Sequence, residues 1–300
     1  MKKNSINRFK KRSILINIFM LLIIMLLNLQ NCFSQQTVGT PEQIAHFFRT
    51  KTYVVLENNP LLEYNSIIKE TIKKHWDLTD YEFVTFGKNE FERVRMDTSF
   101  SFIIFHKQYF DKDKTRAVYN FLSLELGGNY KFIKQMPDLC SIPISYVDVE
   151  EDVYNYKMGL IIRFLQSHIK ITREHPELNS SNIIKYYNKN TSNIHNKTLY
   201  VTKNDLSKEV NSLTKIKKIY PYKVKIATRE EIKQVIDNHD KNAVILHKVG
   251  PEHSKRKARC YNTILGADDA KLYYFSYHMI SNKKPEGLLA KDFKKMAKAK

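Results

Sequence analysis

The chain has 300 residues, 50 Lys and Arg against 31 Asp and Glu for a formal charge of +19, and 42% apolar side chains, a composition ordinary for one large or two medium globular domains. Its eight glycines never form G-x-G, which excludes a Rossmann fingerprint and a P-loop, because both need glycine where backbone N–H groups approach phosphate. G-x-S-x-G, H-E-x-x-H and C-x-x-C are absent as well.

The first element is a targeting segment. Residues 1–12 carry Lys2, Lys3, Arg8, Lys10, Lys11 and Arg12 with no acid, and the apolar run Ile14 to Leu29 ends at "NCFSQQ". Basic, apolar and small-residue regions in that order predict a secretory signal, cut after Ser34. Two other readings share the segment. One is an uncleaved membrane anchor, and the other a lipoprotein modified at Cys32, before which Asn31 is a poor fit. Removing residues 1–34 removes six basic side chains and no acid, so the charge falls from +19 to +13. An exported basic protein, periplasmic or secreted, meets lipid head groups, lipopolysaccharide, cell-wall polymers and acidic proteins before it meets nucleic acid.

Downstream, the chain repeats itself. Lys51-Thr52 returns as Lys197-Thr198 and Asn65-Ser66 as Asn211-Ser212, offset 146. Tyr81, Glu90 and His106-Lys107 return as Tyr222, Glu231 and His247-Lys248 at offset 141, and Tyr119-Asn120 as Tyr261-Asn262 at 142. Ordered echoes with nearly constant offsets predict two copies of one unit. Each copy opens with a β-rich run, "TYVVLE" (52–57) or "TLYVT" (198–202), followed by a helix, Leu62 to Trp76 or Leu206 to Tyr220. In the first helix Tyr64, Ile67, Ile68, Thr71, Ile72 and His75 recur at three-and-four spacing and form one stripe.

"YEFVTF" (81–86) and "YKVKIA" (222–227) read as second strands; each precedes a second helix, the later one capped by Thr228 and Glu231. "FIIFHK" (102–107) and "AVILHK" (243–248) read as buried third strands. Antiparallel hairpins follow, "AVYNFLSLEL" with "YKFIKQ" and "ARCYNTILG" with "AKLYYFSYHMI", turning at "GGN" and "ADDA". Closing helices span Val149 to Thr172, with Asp148 and Glu151 as a cap pair, and Pro285 to Lys298. The predicted fold is α/β: two tandem βαβαβ-ββ-α units over 35–173 and 197–300, each a mixed sheet flanked by helices. An Asn-, Ser- and Lys-rich linker over 174–196 joins them, with one helical turn around Ile183 to Tyr187.

That element order resembles small mixed-sheet domains of bacterial envelope assembly proteins, such as the amino-terminal domain of TolB and the periplasmic part of the curli secretion protein CsgG. The phrases "YNFLSLELGG" and "LLAKDFKKM" are similar to uncharacterised exported proteins of Gram-negative bacteria. The resemblance implies an envelope binding or assembly role and no particular reaction.

Chemistry-bearing residues are sparse. "DKDKT" (111–115) has the D-x-D-x-T form of haloacid-dehalogenase-type phosphatases. There Asp111 would attack phosphorus, Asp113 would serve as acid/base, and Asp268 or Asp269 would help hold magnesium. The context differs, because "KQYF" separates Asp111 from the third strand and the later copy reads "EHSKR". His106 and His247 end predicted parallel strands, where α/β sheets place ligands; each either lines such a site or satisfies a core carbonyl. The ten histidines are scattered without metal-ligand spacing, and no cofactor is implied. Cys140, in the predicted loop "MPDLCSIP", and Cys260, aligned with Val118, either pair or stay reduced.

The loops after the third strands are basic in both copies: Lys107, Lys112, Lys114 and Arg116 in the first, Lys248, His253, Lys255, Arg256, Lys257 and Arg259 in the second. Such runs are solvated faces or anion-binding surfaces. The sequence therefore predicts a non-enzymatic envelope binding or assembly protein contacting a polyanion or an envelope protein, with peripheral membrane contact. A phosphate-ester hydrolase centred on Asp111 is the alternative.

Overall fold

The structure, a computed structural model, describes residues 39–300 other than 148 and 253–255, and Asp111 in its backbone alone. The predicted signal segment with Cys32, and Asp148, His253 and Lys255, lie outside the described residues. Helix α1 (Pro41–Phe47) opens with a capping box in which Thr40 Oγ1 accepts from Gln43 N–H and Gln43 Oε1 accepts from Thr40 N–H. Strand β1 (Lys51–Leu56), α2 (Glu63–His75), β2 (Tyr81–Thr85), α3 (Asn89–Val94) and β3 (Phe100–Tyr109) follow. The α2 stripe turns inward, with Tyr64, Ile68, Thr71 and Ile72 buried. β1 lies between β2 and β3 and pairs with both in parallel. β4 (Val118–Leu126) and β5 (Asp138–Tyr146) add antiparallel, giving the order β2-β1-β3-β4-β5. α4 (Met158–Glu174) closes this unit.

After α5 (Ile183–Asn188), the second unit runs β6 (Thr198–Val201), α6 (Leu213–Lys217), β7 (Val224–Ile226), α7 (Arg229–Asp237), β8 (Ala243–Val249), β9 (Arg259–Gly266), β10 (Leu272–Met279) and α8 (Ala290–Ala297). Its sheet order, β7-β6-β8-β9-β10, repeats the path of the first. The register repeats too. His106 faces Phe121 and Lys107 faces Asn120 across β3 and β4, while His247 faces Thr263 and Lys248 faces Asn262 across β8 and β9. These are offsets 141 and 142. The predicted capping box at α7 is present, with Thr228 Oγ1 accepting from Glu231 N–H and Glu231 Oε2 from Thr228 N–H.

The Lys-Thr echo at offset 146 is out of register. Thr52 donates its N–H to Asp80 on the β2 side, whereas Thr198 donates to Asn242 on the β8 side, so the two residues point to opposite neighbours. A shift of one residue reverses every side chain of a strand, and the true correspondence has an odd offset. Other boundaries also move. The final strand of the first sheet is Asp138–Tyr146 and contains "LCSIPISY"; the predicted strand 130–135 forms a loop with a 3-10 turn at Ile133–Gln135. The predicted helix 206–220 is reduced to one 3-10 turn, Lys208–Val210, and α6. Leu206 pairs instead with Leu288, and Gly287, at φ +96, packs so close that a Cβ would stand 2.7 Å from Ser207 N. The closing helices begin later than expected, at Met158 and Ala290.

The predicted linker is packed. Ile183, Tyr187 and Ile194 are buried, and the Asn188 amide both donates to and accepts from the Phe275 backbone, covering the β10 edge. α4 is apolar over much of its circumference and packs into one core with β1, α2, α7 and β8 residues, including Ile232, Ile236 and Ile245. A second, aromatic junction joins the sheets, where Tyr119 meets Tyr261 edge-on with ring centroids 5.5 Å apart. These are counterparts in the two copies, and contact between equivalent positions is what a twofold relation places at its axis. Cys140 and Cys260 are free and buried in different cores.

Candidate functional site

β3 ends at Tyr109 and the chain turns through Phe110 into a 3-10 turn at Asp111–Asp113. Lys114 and Arg116 then adopt left-handed backbone, φ 51 and 53. Side chains with a Cβ avoid that region because it meets the backbone carbonyl, a cost of roughly 1–2 kcal/mol per residue. The Asp113 carboxylate, at the end of the 3-10 turn, lies against Arg259 of the other copy, with Nε 2.5 Å from Oδ2 and Nη2 2.8 Å from Oδ1. The fork is bidentate and mostly buried. The Arg259 guanidinium lies 3.9 Å from the Phe110 ring centre and 5.2 Å from that of Tyr277. Burial opposes its charge, but the Asp113 hydrogen bonds prevail and hold its pKa above the ordinary value. Tyr119 completes the junction by accepting from Arg259 N–H and donating to Arg259 O.

This clamp brings the two basic loops together. Lys112, Lys114, Arg116, Arg256 and Lys257 are exposed around it. Among the described residues, Lys114, Arg116 and Lys257 form no ion pair. Arg256 lies 6.0 Å from the Tyr146 ring centre. Two aromatic side chains that the charge pattern gave no reason to single out, Tyr109 and Tyr277, are 61% and 52% exposed, Tyr109 at the end of β3 where the first basic loop begins and Tyr277 5.2 Å from the Arg259 guanidinium.

Other predicted residues turn inward. Lys248 Nζ sits 2.6 Å from Glu286 and 3.8 Å from Glu252, with the lysine side chain only 2% exposed. Burial lowers its pKa, and Asp205 and Glu286 more than restore it, so it stays charged. His247 donates from Nε2 to Pro143 O at 2.8 Å; burial first, then the Lys157 charge, hold it down near about 3. His106 Nε2 contacts Ser123 Oγ at 2.7 Å and burial lowers its pKa to about 4. Both histidines are therefore neutral at physiological pH, and Ser123 is fully buried, so the His106–Ser123 contact offers no accessible nucleophile.

Among the described side chains, Asp113 and Asp269 are engaged separately. Asp113 is occupied by Arg259, and Asp269 accepts from Tyr273 OH and Lys271 N–H within its own turn. Among the described residues no group of three or more His, Cys, Asp and Glu side chains could hold a metal ion. No described helix is long and apolar enough to cross a membrane. A cleft of about 460 Å³ lies between α2 and α7 and is crossed by the ion pair Lys74–Asp237. No protein-family model, curated protein or solved structure matches this chain.

Proposed function

We propose that this chain is an exported, non-enzymatic envelope protein that binds a polyanion through the two clamped basic loops. One observation carries the reading. Backbone positions at which glycine would be free of strain are occupied by a lysine and an arginine, Lys114 and Arg116, both exposed. Strain of this kind collects at binding sites, where the rest of the fold holds it in place. The Asp113–Arg259 fork supplies that hold, so the cations are presented on a fixed frame rather than on a floppy loop.

Lys114→Gly with Arg116→Gly tests it. Relief of about 1–2 kcal/mol per site exceeds the roughly 0.4–1 kcal/mol by which glycine widens the unfolded ensemble. The double variant is therefore expected to be as stable as the parent chain or more so in urea unfolding. Its affinity for a soluble polyanion at low salt is expected to fall by tenfold or more. Reduced stability with unchanged affinity would show that these side chains hold the loop and bind nothing.

A further inference from the structure

Resting on that reading, we infer that the polyanion is the anionic surface of a lipid bilayer, with Tyr109 and Tyr277 seated in the interfacial layer while the surrounding cations meet the headgroup phosphates. Two exposed tyrosines beside a basic surface match the membrane interface, where an amphipathic ring lies at headgroup depth with its hydroxyl in water. The two contributions differ physically. Each Lys or Arg near an anionic leaflet adds a salt-sensitive attraction, and buried ring area adds one that salt does not screen.

The geometry favours a bilayer over a single-stranded nucleic acid, whose bases need open aromatic faces for stacking. The Phe110 and Tyr277 rings already pack on the Arg259 guanidinium, and Tyr277 packs on Tyr261 and Phe275 as well. What the tyrosines leave outward is amphipathic and suits a disordered headgroup layer. The clamp also fixes the depth of the surface, because Asp113 and Arg259 neutralise each other at its centre and leave the cations around it.

The test uses vesicles of phosphatidylcholine with a third phosphatidylglycerol, pure phosphatidylcholine vesicles, and heparin as a soluble polyanion. Tyr109→Ser with Tyr277→Ser is expected to weaken binding to the anionic vesicles about tenfold and to leave heparin binding unchanged. In a Trp76→Phe background, Tyr109→Trp is expected to shift its emission to the blue on anionic vesicles and to be quenched by brominated lipid. Salt-sensitive binding to vesicles and heparin alike, with the serine variant unaffected and no emission shift, would overturn the bilayer assignment while keeping the anion surface. Absence of salt-sensitive binding to either probe would overturn the anion surface itself.

Discussion

Lys248→Ala is expected to destabilise the fold by about 3–5 kcal/mol, because it removes a buried ammonium from beside Glu286 and one of the two cations near Asp205. Glu286 lies 2.6 Å from the ammonium and is 13% exposed, and Asp205 is buried nearby. Lys257→Ala, on the exposed face between β8 and β9, is expected to change stability by less than about 0.5 kcal/mol. The pair separates two lysines that look alike in sequence. Urea unfolding measures both, and adding Glu286→Gln to Lys248→Ala is expected to recover part of the loss. A small cost at Lys248 coupled to weaker anion binding would mean that its ammonium is free in solution.

Stability is expected to pass through a maximum in mildly acidic solution, with opposite causes on its two sides. Glu125 faces Asp138 across β4 and β5, and Glu125 Oε2 and Asp138 Oδ1 are buried without a hydrogen-bond partner. Like charges placed opposite one another repel, and burial adds to this. Burial raises the Asp138 pKa from 3.8 to about 6, although Ser141 donates to it, and burial followed by the Asp138 charge raises Glu125 well above its ordinary range. Because the fold holds the Asp138 proton more tightly than the unfolded chain does, stability is lost as pH rises from 3.8 through about 6 and stays lost at neutral pH. The loss is about 2–3 kcal/mol.

The buried histidines act in the other direction. Burial lowers His168 to about 4 and His247 to about 3, so the fold keeps them neutral. Their contribution is complete above pH 6.5 and is lost as pH falls toward those values, at about 3 kcal/mol for His168 and about 5 kcal/mol for His247. Asp138→Asn is expected to raise stability by about 2 kcal/mol at pH 7.5 and to leave it unchanged at pH 4. Its amide oxygen can still accept from Ser141, so the hydrogen bond survives the substitution. An equal gain at both pH values would show that packing, not ionisation, is responsible.

Much of the architecture was legible. The His-Lys and Tyr-Asn echoes sit on paired strands, and that pairing preserves their offsets, so the sequence alone aligns the third and fourth strands of each sheet. What failed depended on contacts between distant segments. The last strand of the first sheet carries Pro143, which argues against a strand; it is tolerated because β5 is an edge and its register shifts beside Phe121. The helix expected at 206–220 yields to Leu288 and Gly287, some 80 residues away, whose backbone draws 205–207 into an extended pairing. The basic loops were visible as charge. That Arg259 faces Asp113 and Lys248 faces Glu286 was not, because each partner is remote in sequence and burial cannot be read from composition. The left-handed Lys114 and Arg116 left no sequence signal, since glycine or asparagine is the usual mark of that conformation.

The most direct measurement is the salt dependence of affinity for anionic vesicles, taken for the parent chain and for a variant with Lys114→Glu, Arg116→Glu and Lys257→Glu. Binding is expected to weaken steeply for the parent chain as ionic strength rises from about 0.05 to 0.3 M, over which the screening length falls below about 10 Å. The triple variant is expected to bind poorly at every salt concentration, with its unfolding midpoint nearly unchanged because exposed charges contribute little to folding. Parent-like affinity in the triple variant, or binding indifferent to salt, would contradict an anion-binding role for these loops.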